Sequence, residues 1–249
     1  MGLAAGRGVV VTLPTYNERE NLEPIAIAIL AALPEAILLV VDDNSPDGTG
    51  ALADTLATRE GRVHVLHRPG KQGLGAAYRD AFRWALDRPD TRAVVQMDAD
   101  FSHDPRDLPR LLAPLMTGSD LVLGTRYMRG GGTVGWPMRR QLVSRAGTAF
   151  ARATLLLPYR DLTGGFKAWR RDLLDAIRMR QASASGYGFQ IETTWWAHRR
   201  RAVVTQVPII FRERVAGYSK MTGGIIREAL GLVLRLRLEA IREAFRRSE

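Results

Sequence analysis

Ile37-Leu38-Leu39-Val40-Val41 is a continuous apolar run, and it breaks at once into Asp42-Asp43-Asn44-Ser45-Pro46-Asp47-Gly48. A strand without polar alternation is one covered on both faces, which is the place of a central strand in a parallel sheet. The pattern recurs on either side. Val9-Val10-Val11-Thr12-Leu13 leads into Pro14-Thr15-Tyr16-Asn17-Glu18, and Ala93-Val94-Val95-Gln96-Met97 leads into Asp98-Ala99-Asp100-Phe101-Ser102-His103. Two more short strands are read at 63–66 and 120–123. Between them, Leu22, Ile25, Ile29 and Leu33 stand at helical spacing, and helices are read at 50–58, 76–86 and 107–116. Strands alternating with helices over about 125 residues predict an α/β fold with right-handed crossovers. Ligands of such sheets bind beyond the carboxyl ends of the strands. Acidic groups stand at three of those ends.

The second half is less regular. Met128 to Pro137 holds four glycines and reads as a mobile loop. A helix is expected over 140–157, strands at 202–207 and 209–211 around Pro208, and an amphipathic helix over 225–245. With no repeat and no linker in evidence, the expected organisation is one catalytic domain, 1–221, followed by a C-terminal helical appendage, 222–249.

The 249 residues contain no cysteine, which excludes thiol catalysis, zinc–thiolate centres and iron–sulfur clusters. No uncharged run approaches the ~18 residues of a spanning helix, and residues 1–8 lack the apolar core of a signal peptide. A cytoplasmic protein without a membrane span is expected. The net charge of +10 is unevenly placed. Residues 1–125 carry 12 Lys/Arg against 17 Asp/Glu, net −5, and residues 126–249 carry 24 against 9, net +15. An acidic half suits a metal ion, and a basic half suits phosphates or an anionic surface. Of the 36 basic residues 33 are Arg, whose planar fork matches phosphate oxygens. Nucleic acid is not the expected partner, because no helix-turn-helix, RNP or zinc-finger pattern is present.

Asp and Asn after a strand are also ordinary turn and N-cap residues. The Asp98/Asp100 pair is harder to assign to turn-making alone. Two carboxylates two residues apart at the end of a buried strand repel unless a cation lies between them. Mg²⁺ takes one or two protein carboxylates together with substrate phosphates, which points to a metal-bridged nucleotide diphosphate. The rival motifs are missing: there is no Gly-x-x-x-x-Gly-Lys-Ser/Thr, and no Gly-x-Gly-x-x-Gly follows the first strand. Asp43, Ser45, Asp47 and Asp54 imitate a Ca²⁺ loop, but Pro46 sits inside it and a strand leads in.

The ordered strings Pro14–Glu18, Val41–Thr49, Lys71–Tyr78, Asp98–Pro105, Gly124–Tyr127, Thr163–Lys167 and Arg214–Lys220 resemble those of the dolichol-phosphate mannosyltransferases, or polyprenol monophosphomannose synthases, of inverting glycosyltransferase family 2. The resemblance spans roughly residues 9–222. It implies the GT-A fold, a Rossmann-like, mostly parallel central sheet flanked by helices. It implies transfer of mannose from GDP-mannose to a polyprenyl (dolichyl-type) phosphate, with a divalent metal, Mg²⁺ or Mn²⁺, as cofactor. Glucosyl or other glycosyl transfer to the same lipid is the alternative within the family.

Residue by residue, the resemblance places Pro14, Tyr16 and Glu18 in the guanosine pocket and Val41 and Asp43 on base and ribose. Asp98, Ala99 and Asp100 contact the donor, and Asp100 is the main metal ligand with Asp98. Ser102 stands where relatives carry a Gln that helps to hold the metal. Arg126, Arg140 and Ser144 fall at the acceptor phosphate, and Arg214 and Lys220 at the donor phosphates. Asp100, Arg126 and Arg214 are the catalytic set. Many relatives carry C-terminal membrane spans and this sequence shows none. The implied partners therefore include the membrane surface, approached peripherally through the last helix, and a separate membrane subunit.

Overall fold

The computed structural model describes residues 2–178, 188–213 and 223–246. Seven strands form one sheet: β1 (Val9–Thr15), β2 (Ile37–Asp42), β3 (Val63–His67), β4 (Ala93–Gln96), β5 (Leu121–Thr125), β7 (Lys167–Arg170) and β8 (Val204–Pro208). Their order is β3-β2-β1-β4-β7-β5-β8, and only β7 runs antiparallel to its neighbours. The first-half helices are α1 (Arg19–Ala32), α2 (Thr49–Arg59), α3 (Leu74–Leu86) and α4 (Leu108–Met116). The second-half helices are α5 (Met138–Leu155), α6 (Arg171–Arg178), α7 (Gly188–Arg199) and α8 (Gly223–Arg246). This is the mostly parallel, helix-flanked GT-A arrangement that was expected.

The apolar runs are buried on both faces because the layers on the two sides take alternate residues. Val10, Leu39, Val41 and Val94 pack with Tyr78, Phe82, Phe189 and Trp169 on one side. Val9, Val11, Leu38 and Val40 pack with Leu22, Ile25, Leu111 and Leu112 on the other. Register brings the ends of β1 and β2 level, Thr15 pairing with Asp42, and β4 ends beside them three residues earlier, Gln96 pairing with Thr12. The segments after β1, β2 and β4 therefore emerge on one edge. Each contains a non-glycine residue in the left-handed region, Asn17, Asn44 and Phe101. Such conformations are held by surrounding structure and gather at functional sites.

Two features depart from the sequence reading. β7, α6 and α7 were not anticipated. Lys167-Ala168-Trp169-Arg170 has no β-branched residue and reads as nothing in particular. It is held as a strand by tertiary contacts, among them Trp169 Nε1 donating to Gln96 Oε1 at 2.7 Å. The glycine-rich stretch contains a strand, β6 (Gly132–Val134), paired in parallel with β9 (Ile210–Arg212). Its glycines serve close approach: a Cβ on Gly131 would lie 2.6 Å from the Thr125 carbonyl oxygen. The C-terminal helix α8, expected as an amphipathic helix over 225–245, buries Leu232, Val233 and Leu236 in the core beside α5 and α7. Leu230, Leu234, Leu238, Ile241 and Phe245 remain exposed. Among the described residues no helix is long and apolar enough to cross a membrane.

Candidate active site

The loop after β2 is ordered by its own polar side chains. Asp42 accepts from the Ser45 amide at 3.0 Å, the Ser45 hydroxyl at 2.6 Å and the Thr15 hydroxyl at 3.1 Å. Asp47 accepts from the Thr49 amide at 2.9 Å and hydroxyl at 2.6 Å, and these bonds outweigh its partial burial and hold its carboxyl below the ordinary range. The loops are then laced together: Asn17 N donates to Ser45 Oγ, and Glu18 N to Thr49 Oγ1. Asp47 thus works as a helix cap and Asp54 pairs with His67 at 2.8 Å, so the Ca²⁺-loop spacing has no common centre.

Of the residues expected at the nucleoside, Val41 is fully buried, and Pro14, Tyr16 and Glu18 are half-buried. Lys71 Nζ sits 4.3 Å from the Tyr16 ring centroid. Asp43 is met by Arg68, a buried guanidinium that also binds Asp80 at 2.8 Å and Gln72 at 3.1 Å. Burial pushes the Asp43 carboxyl up against the opposing pull of Arg68. Arg68 was not singled out from the sequence, because a lone Arg one residue beyond a strand carries no motif.

At the end of β4, Asp98 is about a third exposed, with 31% of its side chain accessible, and lines the central cleft. Asp100 is nearly buried, at 3%, and accepts from the Ser102 amide at 3.1 Å. Ala99 is buried between them. Tyr78 lies beneath: burial first, and then the charges of Asp98 and Asp100, hold its phenol well above the ordinary range. His103 is buried, stacked on Phe166 at 4.8 Å, and its Nδ1 accepts from the Asp98 amide at 3.1 Å. Burial holds this imidazole below its ordinary pKa, so it is a neutral brace for the Asp98 backbone.

Among the described residues no three His, Cys, Asp or Glu side chains cluster as a metal site. The donor set here is two carboxylates, with the Ser102 hydroxyl buried and lacking a hydrogen-bond partner. Oxygen donors too few to close a shell fit a hard cation that completes its coordination with water and substrate phosphates.

Across the cleft stand the arginines. Arg126, 5% exposed, grips Asp161 with Nε at 2.7 Å and Nη2 at 2.8 Å, and Nη2 also donates to Thr163 Oγ1 at 2.7 Å. Asp161 additionally accepts from the amides of Arg126, Thr163 and Gly164. Burial raises the Asp161 carboxyl, but the Arg126 charge and these bonds prevail and hold it below the ordinary range. Arg140 binds Glu213 at 2.6 and 2.7 Å and lies over Trp136 at 4.0 Å. Trp136 and Phe211 make an aromatic wall, ring centroids 5.2 Å apart, beside both arginines. Ser144 Oγ accepts from the Tyr127 hydroxyl at 2.6 Å.

One cleft is lined by Asp98, Arg126, Arg140 and Ser144, and it continues between α5 and α8 past Val143, Phe150, Leu230 and Val233. The structure thus brings together Asp98, expected at the metal, and Arg126, Arg140 and Ser144, expected at the acceptor phosphate. Asp100 and Ser102 are buried just behind Asp98, while Arg214 and Lys220 lie outside the described residues. Asp161, Glu213, Trp136 and Phe211 were missed by sequence reasoning. The one available signal was Asp161-x-Thr163-Gly164, an Asx-turn pattern.

A family model described as Glycosyl transferase family 2 matches residues 10–178. Polyprenol monophosphomannose synthase of Mycolicibacterium smegmatis is 48% identical over 222 residues, covering 89% of this chain and 83% of the relative. Undecaprenyl-phosphate mannosyltransferase of Micrococcus luteus is 47% identical over 239 residues, covering 96% and 97%. Among solved structures, glucosyl-3-phosphoglycerate synthase from Mycobacterium tuberculosis superposes at 25% identity over 94% of this chain and 81% of its own. The TM-score is 0.69 for its complex with phosphoglyceric acid and 0.68 for its complex with Mn²⁺, UDP and glucosyl-3-phosphoglycerate.

The two ion pairs differ in burial, and this gives a test. Asp161→Ala strands a buried guanidinium and should cost about 3–5 kcal/mol of stability. Glu213→Ala touches a pair whose acid is 36% exposed and should cost at most about 1 kcal/mol. Denaturant titration of both variants checks this, and equal losses would refute the assignment of Asp161 as the internal anchor.

Proposed function

The chain belongs to glycosyl transferase family 2, and on that premise we propose that it transfers mannose from GDP-mannose to a polyprenyl phosphate with inversion. The observation that carries this reading is the shared cleft, with Asp98 on one wall, Arg126, Arg140 and Ser144 on the other, and an apolar floor between α5 and α8. Two anionic groups and a lipid need such a combination of walls and floor. The names of the two relatives point to the same acceptor class.

A phosphate monoester has a second pKa of about 6, so at neutral pH the acceptor is already mostly a dianion. It needs no base. None of the four histidines stands ready as one: His103 is buried and braces Asp98, while His64, His67 and His198 contact Trp84, Asp54 and Tyr159. Arg126, Arg140 and Ser144 orient the acceptor phosphate toward the anomeric carbon, and orientation of this kind removes much of the entropic barrier. Asp161 and Glu213 already balance part of the guanidinium charge, so the phosphate is held without being fully neutralised as a nucleophile. Asp98 and Asp100, with Ser102, would hold a divalent cation, which when bound offsets the charge of the departing diphosphate. Pro14, Tyr16, Glu18, Val41 and Asp43 form the nucleoside side of the pocket, and Arg214 and Lys220 complete the donor-phosphate set.

We place the protein peripherally on the membrane. Leu230, Leu234, Leu238, Ile241 and Phe245 form an exposed apolar row on α8, and Leu230 also lines the cleft, so the row leads outward from the acceptor's floor. Such a face buries in the interfacial region of a bilayer.

Incubation with a polyprenyl phosphate, Mg²⁺ or Mn²⁺, and either GDP-mannose or UDP-glucose, followed by lipid extraction, tests the reaction. Mannose should enter the lipid phase. Glucose incorporation with mannose excluded would move the assignment to the alternative donor.

Co-sedimentation with anionic phospholipid vesicles tests the membrane face. Leu234→Glu combined with Leu238→Glu should leave the protein largely in the supernatant. If the variant pellets as the wild type does, α8 is not the anchor.

A further inference from the structure

We propose that the Gln190 carboxamide reads hydroxyl groups of the transferred sugar and is a specificity-determining residue of this site. Gln190 is the third residue of α7, is 1% exposed and lines the cleft. Neither Oε1 nor Nε2 has a hydrogen-bond partner. A buried amide that leaves one acceptor and two donors unused destabilises the empty protein, and such groups are uncommon without a purpose. A ligand carrying hydroxyls supplies what is missing.

The location fits a sugar. A Cβ placed on Gly165 would lie 3.5 Å from Gln190 Nε2, 3.7 Å from His103 Cε1 and 3.8 Å from Asp98 Oδ1. Glycine here leaves open a point at which the carboxamide and the metal-side carboxylate converge. The same cleft holds Arg126 and Arg140. A hexose passing from a diphosphate at Asp98 to a phosphate at the arginines crosses that space. A neutral amide is suited to it, because it recognises a diol without adding charge beside Asp98.

The residue is also held rigidly. Its backbone carbonyl accepts from Lys167 Nζ at 2.7 Å and from Thr194 Oγ1 at 2.9 Å. Lys167 is itself buried on β7, the strand wedged between β4 and β5. Lys167 therefore acts as a positioning residue: it fixes the start of α7 and with it the base of the Gln190 side chain. A recognition group anchored in this way loses little conformational freedom on binding.

This inference rests on the glycosyl-transfer reading of the cleft, so its test separates the two. With the full chain and Mn²⁺, the affinities for GDP-mannose and for GDP are measured by calorimetry, along with GDP-mannose analogues each lacking one hydroxyl. Wild type should bind the nucleotide sugar more tightly than the nucleotide, by roughly tenfold for each hydrogen bond made. Gln190→Met, close in shape and apolar, should erase that increment, leave GDP affinity unchanged, and show a melting temperature equal to or above wild type. For the variant, one deoxy analogue should bind no more weakly than GDP-mannose. A variant that keeps the sugar increment, or that loses GDP affinity together with stability, overturns the proposal. Gln190→Leu serves if Met is not tolerated, with the same readouts. If wild type prefers UDP-glucose, the series is repeated with that donor: the mannose reading then fails while the Gln190 assignment stands or falls on its own increment.

Discussion

Arg126 and Asp161 meet inside the protein, and the cleft is built round that pair. A guanidinium this buried requires a carboxylate, and Asp161 meets the need while also gathering the amides of Arg126, Thr163 and Gly164. One ion pair thereby fixes the end of β5, the turn before β7 and the wall on which an acceptor phosphate would rest. β7 follows directly and carries Lys167 and Trp169 into the core, where they tie α7 and β4 to the same frame. Removing one partner of such a pair costs far more than a surface bridge does, because the survivor stays buried and charged.

The opposite wall follows from a different constraint. Parallel pairing sends the ends of β1, β2 and β4 to the same edge of the sheet, so three acidic loops emerge there. Like charges at that density call for a counter-charge, and the chain meets part of it: Arg68 takes Asp43 and Asp80, and the Asp42 and Asp47 side chains are turned to loop building. Asp98 lines the cleft and Asp100 is nearly buried. The first half thus presents an acidic side and the second half a basic side, as the charge asymmetry along the chain foreshadows.

Most of the first half was legible in the sequence because local signals and tertiary fate agree there: apolar runs became buried strands and the residues after them became the edge of a cleft. The second half was legible only in part. β7 is a strand by virtue of its neighbours, not its composition. The glycines of 128–137 suggested mobility, yet Gly131 is needed so that the chain can pass close to the Thr125 carbonyl oxygen, and β6 forms beside it. The arginines at 126 and 140 were visible as motif residues. Their partners Asp161 and Glu213 were not, because a partner 35 or 73 residues away leaves no local pattern. Gln190 was invisible for a related reason: what marks it is the absence of a hydrogen bond, which only a structure can reveal.

The central claim is that the two anionic reactants face each other across one cleft, so that the sugar moves in a single displacement. The anomeric configuration of the lipid-linked product, read by NMR after transfer from an α-linked nucleotide sugar, tests this most directly. A β-linked product agrees with one in-line displacement between the Asp98 wall and the Arg126 wall. An α-linked product contradicts it and requires either an intermediate on the enzyme or attack from the leaving-group side.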